Sequence, residues 1–179
     1  MQPDPSSSHV KVRLRLRPDD HVPAGERLWA QPREADEHGG TFELTNCAIY
    51  TALAVGDVVR ASLDGDGDLQ VVDVVEPCGG ILTSVLFPEH LTGLAREAGD
   101  TWRDEHGALW SEGGYGVLKT IWRAGVGWGE IKRAVAPYAA RGLVWLGGVE
   151  PAERRRDCLF EVDFELDRTC HGPSTQSCG

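Results

Sequence analysis

Residues 77–102 read PCGGILTSVLFPEHLTGLAREAGDTW, and the change of rhythm inside them divides the chain. Pro77-Cys78-Gly79-Gly80 breaks the preceding pattern, and Ile81 to Phe87 is an apolar run fit for a buried strand. Pro88 stands where a helix begins, because its fixed φ suits the first turn. Leu91, Leu94, Ala95, Ala98 and Trp102 then recur at i, i+3, i+4, i+7 and i+11, one stripe of an amphipathic helix that Gly107 ends.

Downstream, Ala108 to Glu112 and Tyr115 to Trp122 read as strands joined across Gly113-Gly114. Trp128 to Arg141 reads as a second helix with Ile131, Val135 and Tyr138 inward, kinked or shortened by Pro137 and capped by Gly142. Leu143 to Leu146 returns as a strand. Beyond a charged loop with Arg154, Arg155 and Arg156, the residues Cys158, Phe160, Val162, Phe164 and Leu166 alternate with Leu159, Glu161, Asp163 and Glu165 in one further strand. From Ile81 the order is strand, helix, strand, strand, helix, strand, with one extra strand. This is the split-βαβ order of ferredoxin-like domains, whose two helices cover one face of an antiparallel sheet.

Upstream, the period is two. From His9 to Arg17, Val10, Val12, Leu14 and Leu16 alternate with Lys11, Arg13, Arg15 and Arg17. Glu26 to Ala30 and Thr41 to Tyr50 read as short extended segments around the polar stretch Gln31 to Gly40, with Trp29 expected in the core. Asp57 to Leu63 and Leu69 to Val75 flank Asp64-Gly65-Asp66-Gly67-Asp68, which is hairpin chemistry, since Asp and Gly tolerate positive φ. The expected class is α+β: a leader over 1–8, a small bent antiparallel β-sheet or barrel over 9–77, a ferredoxin-like α+β domain over 78–166 and a mobile tail over 167–179.

Several segments of the first half resemble a bacterial family catalogued as a domain of unknown function, number 4265. They are Glu26-Arg27-Leu28-Trp29-Ala30, Asn46-Cys47-Ala48-Ile49-Tyr50, Ala52-Leu53-Ala54-Val55-Gly56-Asp57-Val58-Val59 and Cys78-Gly79. By pattern and order the resemblance spans about residues 9 to 166, with Cys47 and Gly80 departing from it. It implies a fold grouping and no activity.

The chain has 179 residues, with 18 basic and 28 acidic side chains and a formal charge of −10, a balance that repels phosphate backbones and anionic lipid. Neither a nucleic-acid nor a membrane partner is expected. Met1 to Ser8 has no basic and apolar segments of a signal peptide, and no stretch has the length of a spanning helix, so a soluble, cytoplasmic protein is expected. Five cysteines without a C-x-x-C pair read as free thiols, and no cofactor or metal site is implied.

The candidate sites are few. Lys11, Arg13, Arg15 and Arg17 form a basic face that suits an acidic partner, an edge strand guarded against association, or pairing with Glu161, Asp163 and Glu165. Asp64, Asp66 and Asp68 imitate the start of a calcium loop, but Leu69 and Val75 stand where its glycine and bidentate carboxylate belong. Glu130 occupies a place where a dinucleotide fingerprint needs glycine and would complement the dipole of the helix start. Trp128, set between glycines, suits a ligand or partner surface. Cys47 and Cys78 are the weak nucleophile candidates, with no His at a diagnostic spacing. Cys170 and Cys178 lie among Ser and Thr in the tail, where thioether-forming modification is conceivable chemistry. The reading favours a binding or accessory module for a protein or small-molecule partner and leans away from an enzyme. The alternatives are a small enzyme with its site where the two halves meet, near Cys78 to Gly80, and a folded handle for a modified tail.

Overall fold

The computed structural model describes residues 9–16 and 23–149. Arg17, the leader, the expected strand over 158–166, and the tail with Cys170 and Cys178 lie outside them. Within these bounds the class is α+β: a closed five-stranded barrel, then a four-stranded sheet with two helices.

The barrel comprises β1 (Val10–Arg15), β2 (Gly25–Asp36), β3 (Gly39–Leu44), β4 (Val58–Leu63) and β5 (Leu69–Glu76), paired in chain order and closed by parallel pairing of β1 with β5. The inward phase of each strand supplies the core, including Val12, Leu14, Leu28, Ala30, Phe42, Leu44, Val59 and Val74. One sequence expectation fails here. Closure gives β1 a neighbour on each side, so it is not a guarded edge. Its outward Arg13 meets Asp68 at 3.2 Å, and Arg15 lies 4.0 Å from Asp64, so among the described residues the hairpin supplies carboxylates to the basic face, while Glu161, Asp163 and Glu165 lie outside those residues. That hairpin folds as an Asx turn, with Asp64 Oδ1 accepting from the backbone N–H of Asp66 and Asp68, both at 3.0 Å.

The stretch Gln31 to Gly40 also departs from expectation, because β2 runs on through Asp36 and pairs with β3 as a ribbon whose outer residues face water. Gly40, at φ 150°, is required there, since a Cβ would come within 2.1 Å of the Glu34 carbonyl oxygen. After β3 the chain leaves the sheet at Thr45, and residues 45–57 form a loop rather than the extended segment expected to reach Tyr50. Asp57, fully buried, organises it by accepting from the backbone N–H of Ala54 and of Cys78, each at 2.7 Å.

The second sheet contains β6 (Ile81–Leu86), β7 (Ala108–Gly114), β8 (Val117–Trp122) and β9 (Val144–Val149), in the order β7-β8-β6-β9 with every pairing antiparallel. Helix α1 (Thr92–Glu105) follows one turn of 3₁₀ helix opened by Pro88, and α2 (Trp128–Ala139) continues through Pro137. Leu94, Ala95, Ala98 and Trp102 of α1, and Ile131, Ala134, Val135 and Tyr138 of α2, pack with Val85, Leu118 and Trp122 on one face of the sheet. The opposite face meets the barrel's loop through Leu82 and Ile121, packed with Cys47, Ala52 and Ala54. Central strand β8 is therefore covered on both sides, which explains its nearly continuous apolar run.

Candidate functional site

One charged residue interrupts β8. Lys119 is 6% exposed and points with Val117 and Ile121 toward the barrel. Register places it opposite Glu112 of β7 on one side and Ser84 of β6 on the other. Glu26, in phase with inward Leu28 and Ala30, sits at the near end of β2 and brings a second carboxylate from the barrel.

Both carboxylates hold loop backbone. Glu26 accepts from the N–H of Ile49 at 2.7 Å and of Tyr50 at 3.3 Å. Glu112 accepts from the N–H of Cys47 at 2.6 Å and from the Trp110 indole at 2.8 Å. With its oxygens so engaged, Glu112 forms no ion pair within 4.0 Å with Lys119 among the described residues. The Lys119 ammonium donates to the Thr51 carbonyl across 3.4 Å. An ammonium carries three donors, so this long bond leaves it poorly compensated for burial.

Electrostatics follow from that geometry. Desolvation lowers the Lys119 pKa to about 8, against the opposing influence of Cys47 and Glu26. Burial raises the Glu26 pKa, although the two backbone bonds and the Lys119 charge act the other way. Cys47 is pushed up to about 12 by burial and the nearby Glu112 charge, which keeps it a protonated thiol at neutral pH.

These groups line an open cleft of about 630 Å³ between barrel and sheet, walled also by Trp29, Asn46, Tyr50 and the β7–β8 turn. Trp29 does not fill the core as expected. It is 47% exposed, with the Lys11 ammonium 4.7 Å from its ring centre, while Asn46 Oδ1 accepts from its backbone N–H at 2.6 Å. At the turn, Tyr115 is 90% exposed and has φ 53°, a left-handed conformation that a bulky residue rarely takes. Another hollow of about 700 Å³ lies across the same turn, beside α1, but its Glu89, Arg96, Asp100 and Arg103 all face solvent.

The remaining sequence candidates are elsewhere. Cys78 packs against the cluster that holds Cys47 in the layer beneath the cleft, without lining it. Trp128 begins α2 and packs edge-on against Trp145, ring centres 6.2 Å apart, as part of the helix-side core. Glu130 accepts from the Gly127 N–H at 3.0 Å, a helix-start contact. The described residues of the basic face, Lys11, Arg13 and Arg15, lie on the barrel exterior and do not line the cleft, although Lys11 reaches Trp29. Sequence reading passed over Glu26, Glu112 and Lys119. The available signal was a lysine inside the apolar run Val117 to Trp122.

No family model matches the chain, and no curated protein does. Among solved structures, it is similar to a hypothetical protein from Neisseria gonorrhoeae, with a TM-score of 0.51 at 18% identity, over 87% of this chain and 99% of that one. At such identity the likeness bears on the fold. Among the described residues, no helix is long and apolar enough to cross a membrane.

Proposed function

We propose that the protein is a cytoplasmic binding module that seats a small molecule in the cleft between barrel and sheet. The observation that carries this reading is the convergence there of Glu26, Glu112 and the underpartnered Lys119 with the exposed aromatic rings of Trp29 and Tyr115. Polar groups at the floor and aromatic rings at the rim are the usual composition of a ligand site. The second half belongs, in this proposal, to the ferredoxin-like class, supported by its strand order, antiparallel pairings and helices packed on one face. Membership of the bacterial family numbered 4265 is part of the same proposal, resting on the segments quoted above.

The test is equilibrium binding of a panel of small amines, carbonyl compounds and carboxylates, followed by tryptophan emission. At least one compound should bind to the wild type and lose at least tenfold in affinity in Gly114→Phe. A Cβ at Gly114 meets nothing within 4 Å, so the new ring fills the cleft without displacing backbone. Binding that survives this substitution unchanged places the ligand elsewhere and defeats the proposal.

A further inference from the structure

Resting on the cleft reading, we propose that the Lys119 amine is a nucleophile that condenses reversibly with the carbonyl carbon of an aldehyde or ketone ligand. The placement has three parts. Lys119 lines the cleft from the middle of a strand buried on both sides, which fixes its stem. Its cross-strand carboxylate, Glu112, is occupied by the Cys47 N–H and the Trp110 indole, and among the described residues no salt bridge holds the nitrogen in its charged form. Its hydrogen bond to Thr51 is long, at 3.4 Å, and leaves the nitrogen's remaining positions open to a ligand.

The chemistry balances without any added oxidant or reductant. The nitrogen lone pair of the neutral amine attacks the carbonyl carbon, the carbonyl π pair moves to oxygen, and a proton passes from nitrogen to that oxygen to give a carbinolamine. Protonation of the hydroxyl lets it leave as water while the nitrogen lone pair forms the C=N bond of a protonated imine, and addition of water reverses every step. Solvent in the open cleft serves the proton transfers. The lowered pKa of Lys119, about 8, leaves about a tenth of the amine free at pH 7 and about half at pH 8.

Carboxylates and amines are poorer matches. A bound anion would share the cleft with two carboxylates. A bound amine would leave Lys119 still short of acceptors and would add a second cation beside it. A carbonyl compound converts the one underpartnered donor into a covalent partner.

The sequence makes the test clean, since Lys11, Lys119 and Lys132 are the lysines of the whole chain. The full-length protein is incubated with propanal, and separately with benzaldehyde, in the presence of cyanoborohydride at several pH values, and each reduced adduct is located by peptide mass spectrometry. Lys119 should be trapped by at least one probe about tenfold faster than exposed Lys132 and Lys11, with a rate that rises through a midpoint near pH 8. Gly114→Phe should slow trapping at Lys119 and leave Lys132 unaffected. Trapping at Lys119 no faster than at the two exposed lysines overturns the proposal. If compounds still bind in the cleft by tryptophan emission in that case, the imine fails and the binding reading stands. If binding too is insensitive to Gly114→Phe, both fail.

Discussion

The two faces of the second sheet bury polar side chains in opposite ways. Toward the helices, Thr83 accepts from the Trp122 indole at 2.9 Å, Ser111 and Thr120 share a bond of 2.9 Å, and the Trp102 indole donates to the Ala134 carbonyl at 3.0 Å. Each group has a partner of matching valence, and the result is rigid packing. Toward the barrel, a lysine is buried with a single long bond among the described residues. A satisfied network reads as architecture, whereas a charge kept short of partners at the wall of a cleft costs stability and needs another reason to be there.

The largest effect should separate these faces by stability. Trp102 is fully buried, 5.6 Å from Trp122 and 5.7 Å from Tyr138 between ring centres, so Trp102→Ala should cost about 3–5 kcal/mol. Lys119→Met keeps the stem and removes the charge, and should leave the protein as stable as wild type or more stable by up to about 2 kcal/mol. Urea midpoints at pH 7 measure both. A Lys119→Met loss comparable to that of Trp102→Ala would make the lysine a structural strut and erase the contrast.

The pH dependence of stability probes the barrel face. Lys119 falls from an ordinary 10.5 to about 8 in the fold, so unfolding takes up a proton between those values. The penalty is complete below pH 8 and is relieved as pH rises toward 10.5, by roughly 3 kcal/mol in all. Cys47 runs the other way: raised from 9.0 to about 12, its contribution is complete below pH 9 and is lost as pH climbs toward 12. The wild type should therefore gain stability from pH 8 to 9 and then level off. Cys47→Ala should go on gaining toward pH 10.5, and Lys119→Met should show no gain. Urea midpoints across pH 7.5–10.5 decide it, and a wild-type curve identical to that of Lys119→Met would remove the titration from Lys119.

The same contrast marks what the sequence could disclose. Period-two alternation in Val10 to Leu16 and the helical stripe ending at Trp102 were legible because each follows from one element meeting one core. The polar run Gln31 to Asp36 was not, because a ribbon exposed on both faces keeps its ladder hydrogen bonds without an apolar phase. The size of Trp29 points to the core, but its phase, opposite to that of Leu28 and Ala30, turns it outward. Glu26, Glu112 and Lys119 have no fixed spacing that could link them. They meet only through the register of β7 on β8 and through a loop folded between barrel and sheet, and both depend on tertiary contacts.

The smallest effect concerns the rim. Tyr115 holds φ 53° between Gly114 and Gly116 while 90% exposed, so neither packing nor a buried partner accounts for a tyrosine there. A glycine takes that conformation without the Cβ penalty, although it adds entropy to the unfolded chain. Tyr115→Gly should therefore be neutral or stabilising by up to about 1 kcal/mol. If the ring serves the cleft it borders, the same substitution should weaken ligand binding about three- to tenfold, in the range of a single aromatic contact. Stability and binding would then move in opposite directions at one residue, which packing alone does not produce. A variant that loses stability while binding is unchanged would return Tyr115 to the architecture and leave Trp29 as the aromatic wall of the site.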